Sequence, residues 1–194
     1  ATYLPRALKV LTAGHPQLRI QVHLGTYDRI VGLVAARDVD LGVAKAPVMS
    51  PAVDTIDICD SGLVVALARD HPLAGKARLQ PSDLSQEPMV MIGRGRPWRD
   101  EIDVAFRRAR VAMRIAVETQ SVESACGFAA AGFGAAIVPD WLTGALAQPQ
   151  VVAIPFRIDV MHRFLVAFPK RAQRTELARD FAAAFAALRG QDGA

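Results

Sequence analysis

An α/β fold with largely parallel sheets covered on both faces is predicted for this chain by three observations. Strand-sized apolar stretches recur along its 194 residues, and stretches with helical spacing lie between several of them. Apolar types make up 52% of the residues and charged types 22%, which supplies a packed core and excludes wholesale disorder. A composition shift at Asp70-His71-Pro72-Leu73-Ala74-Gly75, followed by Pro81, Ser82 and Asp83, marks a boundary between two lobes.

The elements follow in order. Leu18-Arg19-Ile20-Gln21-Val22-His23-Leu24 alternates apolar and polar without error, the two-residue period of a strand with one buried face, and Gly25 ends it. Tyr27, Ile30, Val31 and Val34 then recur at helical spacing, with the Thr26 hydroxyl placed to cap the first turn. Residues 39–43 read as a second strand, followed by Pro47. Further strands are expected at 55–58, 63–67, 89–92, 113–117, 135–138, 151–154 and 164–168. Trp98, Ile102, Ala105, Phe106 and Ala109 share one helical stripe, and the intervening Asp103 and Arg107 are four residues apart and able to pair. Val122, Cys126 and Ala129 form a second stripe, and Leu177, Phe181, Ala184, Phe185 and Leu188 a C-terminal one.

Several function classes fall away on composition. With 23 Lys and Arg against 19 Asp and Glu the formal charge is +4, and the basic residues are mixed with acidic ones. Arg94, Arg96, Arg99, Arg107, Arg108 and Arg110 are interrupted by Asp100, Glu101 and Asp103, which reads as a solvated helix face and not a nucleic-acid stripe. The longest fully apolar run, Phe181 to Leu188, falls far short of the roughly 18 residues of a membrane span. Nothing at the start of the sequence resembles a secretion signal, so a cytoplasmic protein is expected. Cys59 and Cys126 are expected as reduced thiols, the second inside an apolar stripe. His15, His23, His71 and His162 lack metal-site spacing, and no GxSxG or SxxK nucleophile motif occurs. No metal, no cofactor and no catalytic residue is therefore expected, and the chain reads as a non-enzyme.

What remains are junctions. Gly93-Arg94-Gly95-Arg96 follows a strand and opens a helix, where glycine permits close backbone approach to a ligand or simply makes an ordinary loop. Gly132-Phe133-Gly134 has the opposite order and reads as a helix end turning into a strand. Thr26 and the trio Thr119, Gln120 and Ser121 sit at strand-to-helix junctions, where unpaired helix N–H groups favour a carboxylate. Thr26 and Ser121 are equally suited to capping their own helices.

In order along the chain, Tyr3-Leu4-Pro5, His15-Pro16, Val39-Asp40-Leu41-Gly42-Val43, His71-Pro72-Leu73-Ala74, Asp83-Leu84 and Ala130 through Pro139 resemble the effector-binding domain of LysR-type transcriptional regulators. Trp98 through Asp103, with Val117 through Ser121, further resembles the branch that responds to octopine and nopaline. The resemblance implies two Rossmann-like lobes of the periplasmic-binding-protein type II kind, joined by crossover strands at 63–67 and 164–168, with an effector cleft between them. Lobe I would be residues 1–67 plus 166–194, and lobe II residues 68–165. It implies effector contacts from Thr2, Gly25, Thr26, Tyr27, Gly93, Arg94, Gln120 and Ser121, with Arg96 or Arg99 as further charged candidates.

The same resemblance implies a small-molecule effector, a carboxylate such as an amino acid or opine, together with a homodimer and a tetramer in the full-length regulator. Contact with DNA would come only through an N-terminal domain that has no counterpart in these 194 residues, as is also true of the family's first strand. No membrane partner is implied. A free-standing periplasmic solute-binding protein is the competing reading, and an enzyme using Asp40 a third.

Overall fold

The computed structural model describes residues 3–94, 97–140, 150–158, 161–171 and 175–192. In chain order its elements are helix α1 (Tyr3–Gly14), helix α2 (Tyr27–Ala36), strands β1 (Gly42–Lys45), β2 (Val53–Ser61) and β3 (Leu63–Ala68), strand β4 (Pro88–Ile92), helix α3 (Pro97–Arg108), strand β5 (Arg114–Thr119), helix α4 (Val122–Ala130), strands β6 (Ala135–Pro139), β7 (Val151–Phe156) and β8 (His162–Pro169), and helix α5 (Thr175–Asp192). The chain divides into two compact units: the described residues up to Ser61 and from His162 onward form one, and Gly62–Met161 the other.

The first unit holds a three-stranded sheet in the order β1-β8-β2, antiparallel throughout. Thr26, in extended conformation, caps α2 by accepting from the Arg29 amide, and Arg37 closes the helix in the left-handed region with its N–H on the Leu33 and Val34 carbonyls. α2 lies close enough to β1 that a Cβ at Gly42 would collide with Ile30. Val34, Ala44, Val53, Leu165 and Ala167 form the core there, with Tyr27 and Val31 packed against it. α1 rests on α5 through its buried Ala7 and Leu11.

The second unit is a five-stranded sheet in the order β5-β4-β6-β3-β7. β4 runs parallel to β5 and β6, whereas β3 is antiparallel to β6 and β7. α3 buries Trp98, Ile102 and Phe106, the last stacked on Phe156 with ring centroids 6.2 Å apart. α4 buries Ala125, Cys126 and Ala129. Between α4 and β6, Gly132 and Gly134 take φ values of 80° and 139°, so the chain reverses where side chains are disfavoured. Gly134 also meets the Pro88 carbonyl so closely that no Cβ fits.

Three expectations change. Residues 18–24, the cleanest alternation in the sequence, form no regular element and pair with no strand among the described residues, and Ile20, Val22 and Leu24 are 43%, 52% and 86% exposed. A period of two suits a strand, but a strand exists only where a neighbour supplies a ladder. The second strand begins at Gly42, three residues later than the apolar alternation from Val39 suggests. The sheets are also not largely parallel. β2 passes into β3 through Gly62 alone, and β8 returns beside β1 and β2, so antiparallel pairings arise without helical crossovers.

Candidate functional site

In the second unit, the carboxyl ends of β4 and β5 bring three of the expected residues together. The Gly93 amide continues the β4–β5 ladder by donating to the Thr119 carbonyl at 2.8 Å. The Gln120 side-chain amide covers Gly93 so tightly that a Cβ there would displace it, its carboxamide carbon lying 2.9 Å from that position. Ser121 follows in extended conformation and caps α4, its Oγ accepting from the Ser124 amide at 3.3 Å. Gln120 is exposed and Ser121 half-buried, so both present polar atoms to solvent at a helix start. Arg94 is exposed beside Gly93.

Arg99 departs from the solvated face expected of it. Its side chain is 1% exposed, with Nη1 donating to the Ile92 carbonyl at 2.7 Å and to Glu118 at 3.1 Å, and Nε to Asp103 at 3.0 Å. Asp103 thus bonds to the arginine four residues before it, where the sequence pairing had pointed four residues after, to Arg107. Because Arg99 precedes Ile102 by three positions, it shares the buried stripe, and the i, i+4 acid was the signal that could have found it. The guanidinium holds the end of β4 and the end of β5 to α3. Arg96 lies outside the described residues.

In the first unit, Gly25, Thr26 and Tyr27 form the turn into α2. A Cβ at Gly25 would approach the Arg29 side chain at 3.2 Å, and the Thr26 hydroxyl accepts from the Arg29 amide at 3.4 Å. Gly25 and Thr26 are exposed. Tyr27 is used in packing: its ring meets Phe164 edge-on at 6.0 Å. Thr2 lies outside the described residues.

Elsewhere the chemistry is quiet. Burial and then the charge of Glu123 push the Cys126 thiol up to about 12, the behaviour of a core cysteine. Among the described residues, no group of three His, Cys, Asp or Glu is placed to hold a metal ion, and no helix is long and apolar enough to cross a membrane.

The family model for the LysR substrate binding domain matches residues 1–189. An uncharacterized HTH-type transcriptional regulator, YvbU of Bacillus subtilis, is 24% identical over 152 residues, covering 78% of this chain and 51% of that protein. A probable hydrogen peroxide-inducible genes activator of Mycobacterium avium is 26% identical over 137 residues, covering 70% of this chain and 44% of the relative. Among solved structures, the regulatory domain of Synechocystis CcmR in complex with 2-PG superposes with a TM-score of 0.77 at 23% identity, covering 96% of this chain and 91% of that one. The chain spans about half the length of the first curated relatives it matches.

Proposed function

Because this chain belongs to the LysR substrate binding domain family, we propose that it is the effector-sensing part of a longer transcription regulator and takes a small organic anion. Its fold is that of LysR effector-binding domains, the periplasmic-binding-protein type II fold. The observation that carries the anion reading is the junction at the carboxyl ends of β4 and β5, where Gly93, Gln120 and Ser121 meet the start of α4. Helix N–H groups and a side-chain amide there suit a carboxylate. Gly25, Thr26 and Tyr27 at the start of α2, with Thr2 and Arg94, complete the proposed set. Arg99 acts behind it as a positioning residue.

The carboxylate we propose is an amino acid or opine, following the resemblance of residues 98–103 and 117–121 to octopine- and nopaline-responsive regulators. Binding favours one conformation of the regulator over another, and the effector's differential affinity limits the shift, typically about 1–3 kcal/mol. DNA contact belongs to the rest of the regulator, which we place in the cytoplasm as a tetramer built from homodimers of this domain. Cys126 gives no support to a peroxide response of the kind the Mycobacterium avium relative's name carries, since a reactive cysteine needs a stable thiolate.

Thermal-shift screening of amino acids, opines and other small carboxylates tests the reading. A stabilising compound should lose its effect in Ser121→Ala and Thr26→Ala. Undiminished binding in both variants overturns the proposed site.

A further inference from the structure

Away from those junctions, the first unit carries an open concavity of about 710 Å³ where the end of β8 meets the beginning of β2 and the second turn of α5. The buried side chains of Val53 and Phe168 give it an apolar wall, and Lys170, Arg171 and Arg179 line it with positive charge. Asp54 is the one carboxylate lining it, and the Thr55 hydroxyl is its remaining polar side chain. None of the three cations makes an ion pair or side-chain hydrogen bond among the described residues, Asp54 included. Elsewhere in the same unit, by contrast, Arg163 reaches Asp60 at 3.0 Å and Asp57 at 3.5 Å.

The corner carrying two of these cations is fixed on both sides. The Lys170 amide donates to the Ala52 carbonyl at 2.8 Å, and the Lys170 carbonyl accepts from Arg37 Nη2 at 3.2 Å. Arg171 follows with φ 58°, in the left-handed region where glycine is at ease and an arginine is held against its preference. A long cationic side chain at a position whose backbone favours glycine, beside two more cations without side-chain partners among the described residues, is a departure from local consistency of the kind that marks binding sites. Like charges gathered around one concavity repel one another until an anion enters.

We propose that this concavity is a second ligand site, distinct from the one at the ends of β4 and β5, for a small multivalent anion: a polycarboxylate or phosphorylated metabolite with a short carbon skeleton. Three cations against one carboxylate favour two or more negative charges, and the Val53 and Phe168 wall accepts carbon. Arg171 and Arg179 supply forked donors suited to carboxylate and phosphate oxygens.

The test is thermal denaturation of the 194-residue chain with citrate, with pyrophosphate, and with sodium chloride at matched ionic strength. At about ten times the dissociation constant, mass action gives a rise in Tm of about 4 °C over the chloride control. A rise with citrate alone identifies polycarboxylates, with pyrophosphate alone phosphorylated compounds, and with both an unselective polyanion site; each supports the proposal. Arg171→Gly removes the charge while easing the backbone, so its anion-free Tm should equal or exceed that of the parent while the rise disappears. Arg179→Gln should also lose the rise, and Ser121→Ala should keep it. No rise beyond chloride with either anion, or an equal rise in Arg171→Gly and Arg179→Gln, overturns the second site and leaves the first untouched.

Discussion

Strand β5 and residues 18–24 both leave much of their surface in water, but only residues 18–24 alternate apolar with polar side chains without a break, since Ala116 interrupts the alternation in β5. β5 is nevertheless bonded along its length to β4, while residues 18–24 have no ladder among the described residues. What separates them is the company each keeps. β5 ends against Gly93, whose amide carries the ladder on to Thr119, and Arg99 ties its Glu118 to the last carbonyl of β4. The cleaner pattern belongs to the stretch without a ladder, so neighbours and not pattern alone decide where a strand forms.

The comparison breaks most severely if Arg99 is removed. Arg99→Met leaves Asp103, the Ile92 carbonyl and Glu118 without their shared donor; water reaches both carboxylates, so the unsatisfied carbonyl dominates and a cost of about 1–3 kcal/mol is expected in urea denaturation. In that variant the β5 amides should exchange with solvent nearly as fast as those of residues 18–24, and retained protection would show that the ladder stands without the arginine.

Alkaline pH probes the layer over β4 and β6. α4 covers these strands and carries Cys126, whose thiol ionises near 9.0 when unfolded but is pushed up to about 12 when folded. The unfolded chain therefore releases this proton first, so the contribution is complete below pH 9 and is lost as pH rises toward 12. The decline approaches about 1.4 kcal/mol per pH unit. Cys126→Ala should show a shallower alkaline decline than the parent, and parallel curves would contradict the assignment.

Smaller effects sharpen the contrast. Thr26→Ala and Ser121→Ala each remove a helix cap, one after the unpaired stretch and one after β5, and each should cost about 1 kcal/mol, since a cap answers to its own helix. A clearly larger cost at Ser121 would mean that it also secures β5. Smallest of all, Val22→Asp should change stability by less than about 0.5 kcal/mol, because the side chain it replaces is 52% exposed.

Much of the architecture was legible because local chemistry determined it. Thr26 and Ser121 cap helices as their position after an extended stretch implied, and Gly132 and Gly134 occupy left-handed turns. Trp98, Ile102 and Phe106 of the α3 stripe are buried where their spacing placed them, whereas Ala109 falls past the end of the helix and is exposed. Pairing direction was not legible, because β3 and β8 reach their sheets from distant parts of the chain and no short-range pattern encodes that. Arg99 escaped for a related reason. An arginine's burial depends on Glu118 and the Ile92 carbonyl, which folding brings to it from two other strands. At the candidate site, the glycine and hydroxyl positions could be read from sequence, whereas the cover that Gln120 lays over Gly93 required the fold.

The interruption of the first unit by Gly62–Met161 bears on how the protein assembles. β1 and β2 bond to β8, whose residues are made more than a hundred positions after β1, so a ribosome delivers both outer strands well before the strand that joins them. The uninterrupted unit can mature while its neighbour waits, and the closing of that long chain segment is the slow, entropy-opposed event. A nascent chain stalled before β8 would expose two orphan strands, so the interval between the emergence of β2 and that of β8 is the one in which a chaperone matters most.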